Sequence, residues 1–155
     1  MIKIDIPGRQ CLEIREVVFD YNGTIAVDGI MPESVKACIR ELAKSASVRI
    51  LTADTYGTVR EQVKDLGVET CTFPREGAAV CKQEIVEKLP RDICCIGNGY
   101  NDIQMFEQAD LRIAVMDEEG VCARLVSAAD ICVRSMEDAC RLLLNPDRIR
   151  ATLRN

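Results

Sequence analysis

The chain contains no histidine and no tryptophan. Without histidine, Ser–His and Cys–His nucleophile pairs cannot form, and acid–base work falls to carboxylates, lysine, tyrosine or cysteine. The same lack argues against a zinc site of ordinary type, since the nine cysteines include no C-x-x-C pair. Positive charge is in short supply: 20 Lys and Arg face 25 Asp and Glu, for a formal net charge of −5. That balance argues against a general nucleic-acid or membrane-surface binder, because both reward basic faces. Long apolar runs are missing as well. The longest uncharged stretch, Ile93 to Asn101, falls far short of the roughly 18 residues of a membrane span. The opening MIKIDIPGRQ has no secretory apolar region, so a cytoplasmic protein with free thiols is expected. Cys94–Cys95 sits in an apolar run and is expected in the core rather than at a redox centre.

What is present fits one domain over residues 1–155. Ile2 to Ile6 and Gln10 to Ile14 alternate around Pro7-Gly8 and predict a hairpin, within an N-terminal unit of residues 1–14. Strands are predicted at Val17 to Phe19, Val48 to Leu51, Val68 to Phe73, Ile93 to Ile96, Leu111 to Val115 and Ile131 to Val133. Between them, helices are predicted from Pro32 to about Ala46, Thr55 to Leu66, Ala78 to Leu89, Asn101 to Gln108, Val121 to Ala128 and Met136 to Leu144. Residues 146–155 form an Arg-containing tail. Short apolar runs alternating with amphipathic helices predict an α/β fold: three layers, Rossmann-like, with a mostly parallel sheet covered by helices on both faces. In such sheets ligands bind at the carboxyl ends of the strands.

Polar clusters follow three of those strands. V-V-F-D-Y-N-G-T puts Asp20 at the end of a buried strand, where a carboxylate is costly unless paired or metal-bound; the plainer reading is an Asn-Gly turn. I-L-T-A-D-T offers the Thr52 hydroxyl and the backbone at Ala53 to an anion, or a helix cap at Asp54 or Thr55. I-G-N-G-Y-N-D brings amides and a carboxylate to a strand end, oxygen donors of the kind that suit Mg²⁺. Lys82 lies on an amphipathic helix, ordinarily solvated surface, and matters only where the fold turns it toward Asp20.

In this order the clusters resemble the motifs of the haloacid dehalogenase (HAD) superfamily, and most of all the phosphorylation domain of P-type ATPases and their small soluble relatives. That family reads D-K-T-G-T, T-G-D, a Lys before I-V-x-x-L, and G-D-G-x-N-D. Here Asp20 to Thr24, Thr52 to Asp54, Lys82 and Gly97 to Asp102 fall in those places. The resemblance runs over about residues 16 to 135. It implies an aspartyl phosphate on Asp20, with Asn22 at the acid/base position and Lys82 in the catalytic set. Thr52, Ala53 and Lys82 would hold the phosphoryl group. Mg²⁺ would lie at Asp20, the Asn22 carbonyl, Asn98 and Asp102, supported by Thr24 and Asn101.

Two departures weaken the expected chemistry. Asn22 stands where phosphatases of the superfamily carry an Asp, and an amide neither gives nor takes a proton there. Asn98 replaces a metal-binding Asp and removes a charge. The gaps between Thr24, Thr52 and Lys82 leave no room for a cap domain. ATP is a doubtful substrate, since nothing resembles the nucleotide-binding domain of the pumps. A Mg²⁺-dependent phosphohydrolase or phosphotransferase is expected, acting on a small phosphorylated substrate or a phosphoprotein. The alternative is an impaired phosphate- and Mg²⁺-binding regulatory module; a structural subunit is the third option. The hairpin edge and the tail leave two alternatives open: a homo-oligomer paired through the edge or covered by the tail, or a tail packed on its own domain.

Overall fold

The structure, a computed structural model, describes residues 1–54 and 58–155. A separate antiparallel hairpin opens the chain, β1 (Ile2–Ile4) against β2 (Leu12–Ile14), with Ile2 opposite Ile14. Six parallel strands follow: β3 (Glu16–Asp20), β4 (Ser47–Thr52), β5 (Glu69–Thr72), β6 (Ile93–Gly97), β7 (Leu111–Val115) and β8 (Ile131–Val133). Their order in the sheet is β5-β4-β3-β6-β7-β8. The chain winds outward from β3 in one direction, then crosses over to β6 and winds outward in the other. The reversal between β3 and β6 opens a crevice at their carboxyl ends.

Strand alternation splits the core in two. Val17, Phe19, Ile50, Cys94, Ile96 and Ile113 face one layer; Val18, Leu51, Cys95 and Ala114 face the other. The first layer is completed by α1 (Glu33–Leu42), α2 (Thr58–Val63), α6 (Met136–Leu144) and α7 (Pro146–Leu153), with hairpin residues Ile2, Ile4 and Ile14 in the same cluster. The second is completed by α3 (Ala78–Glu87), α4 (Ile103–Phe106) and α5 (Ala123–Ala128). Cys94 and Cys95 are fully buried on opposite faces of β6, because successive side chains on a strand point to opposite sides. Burial pushes both thiols up, and neither is disulfide-bonded.

Three expectations are revised. The hairpin strands are shorter than the alternation predicts, and Pro7-Gly8 lies in the turn between them. The 146–155 tail is mostly helix: Pro146 starts α7 at its first position, where a missing N–H costs nothing, and Ile149 is fully buried in the same cluster as β1. The helix expected at Asn101 to Gln108 is a 3₁₀ turn (Tyr100–Asp102) running into the short α4. The predicted helix start at Thr55 lies outside the described residues; α2 is seen from Thr58. Between β3 and β4, and between β4 and α3, the described residues hold only α1, α2 and β5, with no inserted cap. Among the described residues no helix is long and apolar enough to cross a membrane.

Candidate active site

Asp20 is the last residue of β3 and Lys82 lies midway along α3, yet the two meet. The Lys82 ammonium donates to Asp20 Oδ1 at 2.6 Å, to Asp102 Oδ1 at 2.6 Å and to Asn101 Oδ1 at 3.1 Å. All three N–H bonds of the ammonium are thereby used. Lys82 is 1 % exposed, Asp102 0 % and Asp20 8 %. A lysine so deeply buried persists only because it is paired and hydrogen-bonded. Burial opposes its charge, but Asp20 and Asp102 outweigh that and hold the ammonium above its ordinary value. The Asp20 carboxyl moves up as well, to about 7: burial and the neighbouring Asp102 charge exceed what Lys82 returns.

Asp102 anchors the loop after β6. Its Oδ2 accepts from the backbone N–H of Asn98 at 3.0 Å and of Gly99 at 2.8 Å. Both oxygens are therefore held by Lys82 and by the loop. That backward reach tightens the first turn and accounts for the 3₁₀ start. Gly97 is required by the same approach, since a Cβ there would lie 2.5 Å from Asp102 Oδ2. Gly23, at φ +75°, takes a backbone conformation that favours glycine, and a Cβ on it would run into the Asn98 amide.

The Thr24 hydroxyl lies 3.3 Å from Asp20 Oδ2 and 3.2 Å from Asn98 Oδ1. A hydroxyl has one proton, so it donates to one of these oxygens at a time. The two converge on a common point. With two carboxyl groups, Asp20 and Asp102, set against the single Lys82 cation, this is an oxygen donor set that fits a hard cation such as Mg²⁺. Asn98 carries a second duty: its Nδ2 donates to the Gly120 carbonyl at 3.0 Å, and its own carbonyl accepts from Cys122 N–H at 2.8 Å. A carboxylate in its place could not make the first of these bonds. Among the described residues no three His, Cys, Asp or Glu side chains gather as a metal cluster.

Above Asp20 lies an open cavity of about 420 Å³ lined by Asn22, Thr52, Ala53, Lys82, Asn98 and Asn101, among others. Thr52 is buried and its hydroxyl accepts from Asp54 N–H at 3.1 Å, leaving its own proton available. Asp54 Oδ2 also accepts from Val59 N–H and the Thr58 hydroxyl in the first turn of α2. Asn22 is exposed. All the residues singled out from the sequence therefore line the cavity or support it, Thr24 and Asp102 from behind. The sequence reading missed Arg75, in the turn after β5, which lines a second cavity next door. A Pro-Arg-Glu-Gly turn at a strand's carboxyl end was the available signal.

No known protein-family profile matches the chain. An uncharacterized protein of Methanocaldococcus jannaschii is 38 % identical over 81 residues, covering 49 % of this chain and 87 % of that protein. A soluble P-type ATPase-like phosphatase of the same organism is 25 % identical over 130 residues, covering 79 % of this chain and 47 % of its own length. A copper-exporting P-type ATPase of Staphylococcus saprophyticus is 29 % identical over 143 residues, covering 88 % of this chain and 17 % of the pump. Among solved structures, a 3-deoxy-D-manno-octulosonate 8-phosphate phosphatase of Moraxella catarrhalis, in complex with magnesium, phosphate and its sugar, superposes with a TM-score of 0.71 at 17 % identity, over 91 % of this chain and 94 % of that one. The cobalt-bound Haemophilus influenzae phosphatase of the same kind gives 0.73 at 14 % identity, over 92 % and 94 %. Those structures share the fold, and the similarity to the ATPase sequence runs through most of the chain: it has the fold of haloacid dehalogenase-type hydrolases and is similar in sequence to P-type ATPases and a soluble phosphatase like them.

Proposed function

We propose that this chain is a divalent-metal-dependent phosphohydrolase or phosphotransferase in which Asp20 takes up the phosphoryl group. The observation that carries the reading is the buried Asp20–Lys82–Asp102 triad at the floor of an open strand-end cavity. A carboxylate is a competent covalent nucleophile. Phosphoryl transfer depends mainly on positioning and charge neutralisation. Asp20 Oδ2, the Asn22 carbonyl and Asn98 Oδ1 would hold Mg²⁺, with Asp102 fixing their loop. The ion would supply positive charge to the phosphoryl oxygens.

The chain's own residues provide the rest. Asp20 attacks phosphorus, the bond to the leaving oxygen breaks, and an aspartyl phosphate forms. The Thr52 hydroxyl and the Ala53 backbone receive equatorial oxygens. Lys82 neutralises charge, and its 3.1 Å contact with Asn101, the longest of its three, is the one an incoming oxygen would replace. Water then attacks phosphorus and regenerates Asp20. Asn22 cannot protonate the leaving group, so acyl and aryl phosphates should react best. The substrate is a small phosphorylated molecule. The test is phosphate release from acetyl phosphate and p-nitrophenyl phosphate, with and without Mg²⁺, against an Asp20→Asn control. Equal release by the control would refute the reading.

A regulatory module that binds phosphate without useful turnover is the second reading. It is favoured by Asn98, whose amide is committed to the Gly120 carbonyl. Binding of phosphate and Mg²⁺ with no release from any substrate would select it.

A further inference from the structure

The site cavity adjoins a second one of about 400 Å³, with Asn22, Ala53 and Asn101 lining both. On the reading above, Asn22 stands two residues after the nucleophile, at the leaving group. A leaving group passing over Asn22 therefore enters the second cavity, whose other lining residues include Tyr21, Asp54, Val59, Ala78 and Arg75. Most of its polar groups are already engaged. The Tyr21 hydroxyl donates to the Gly29 carbonyl at 3.1 Å. Asp54 Oδ2 accepts from Val59 N–H at 2.9 Å and from the Thr58 hydroxyl at 3.0 Å. Arg75 differs: it is exposed, and its guanidinium makes no ion pair or hydrogen bond among the described residues. The first cavity offers no comparable group, since Lys82 is saturated by Asp20, Asp102 and Asn101.

From this juxtaposition we infer that Arg75 is a specificity-determining residue, selecting phosphate monoesters whose leaving group carries a second anionic group. This rests on the proposed phosphotransfer reading and names its substrate class. A planar guanidinium with five donors matches a carboxylate or a phosphate in a two-pronged contact. A neutral leaving group finds no such partner in this cavity.

The experiment compares 2-phosphoglycolate, propane-1,3-diol bisphosphate and ethyl phosphate on the full chain with Mg²⁺, and on Arg75→Gln. The readout is the ratio of kcat/KM for each anionic-tailed ester to that for ethyl phosphate. The native chain should favour the anionic tails, and Arg75→Gln should collapse that ratio roughly 10- to 100-fold, the range of a lost charged hydrogen bond. The larger collapse tells carboxylate from phosphate. No preference in the native chain, or a ratio unchanged in Arg75→Gln, overturns the inference. If no ester is turned over, the proposed function fails, and equilibrium binding decides the inference alone. Arg75→Gln must then weaken 2-phosphoglycolate but not inorganic phosphate. Equal loss of both, or of neither, overturns it.

Discussion

Two clusters on this sheet have the same charge count and opposite fates. At the carboxyl end, Lys82 sits between Asp20 and Asp102. At the amino end, Arg49 of β4 sits between Glu16 of β3, at 3.1 Å, and Glu69 of β5. Each is one cation held by two carboxylates. The side chains of the first are 2 %, 11 % and 0 % exposed; those of the second are 20 %, 10 % and 57 %. Arg49 too is held above its ordinary value, its carboxylate partners outweighing its burial. The difference lies in what surrounds the charges. Around Lys82 the acceptors are interior and a cavity opens on Asp20. Around Arg49 water does much of the screening, and the cluster lines none of the cavities described above. A charged triad becomes a chemical site only where low dielectric and access to a ligand coincide.

The largest test of that contrast is turnover. Asp20→Ala should lower phosphate release from p-nitrophenyl phosphate by at least about 10³-fold, since it removes the nucleophile. Glu16→Ala should change it little. Comparable losses in both would mean that the two triads are not functionally distinct.

Stability comes next. Asp102→Ala leaves Lys82 buried with one carboxylate and strands two backbone N–H groups, and should cost about 3–5 kcal/mol by urea denaturation. Glu69→Ala removes a half-exposed partner and should cost under about 1 kcal/mol. Similar midpoints for the two variants would erase the distinction in burial.

A smaller effect is expected at residue 22. Asn22→Asp is nearly isosteric and supplies the missing acid/base group. It should raise kcat for alkyl phosphates by up to about 10²-fold, and by less for aryl phosphates, whose leaving groups need no proton. A folded, Mg²⁺-binding variant without that selective gain would remove residue 22 from the acid/base position.

The smallest effect is a pH dependence. The Asp20 carboxyl is raised from 3.8 to about 7 in the folded chain, so the native state holds a proton that the unfolded state releases. Its contribution to stability is therefore full below about pH 4 and declines as pH rises toward 7, by at most about 1.4 kcal/mol per pH unit. Lys82, raised above 10.5, stays charged throughout this window. Measured in EDTA, the native chain should lose stability relative to Asp20→Asn between pH 4 and 7. A flat difference would mean that Asp20 is not coupled to burial and Asp102 as the geometry implies.

Much of this molecule was legible in its sequence, because the relevant signals are local. Short apolar runs predicted all six parallel strands, most directly the central β3 and β6, which are buried on both faces and apolar nearly throughout. Asp20, Thr52 and the Gly97–Asp102 loop stood out because each follows such a strand. The tail was misjudged because Pro146 and the arginines look like a polar end, whereas Ile149, with Leu153 beside the same cluster, anchors α7 in the core that includes the hairpin. What only the tertiary structure decided is which residues meet across long sequence separations. Lys82 sits on a helix of weak amphipathic pattern, indistinguishable by sequence from a solvated lysine; the β3–β6 crossover and the packing of α3 on the second face of the sheet carry its ammonium to Asp20 and Asp102. The same holds for Asn98 with Gly120, and for Arg75 and Asn22, which line one cavity. Periodicity records which face of an element is buried, but a site is made by the convergence of elements, and convergence depends on topology.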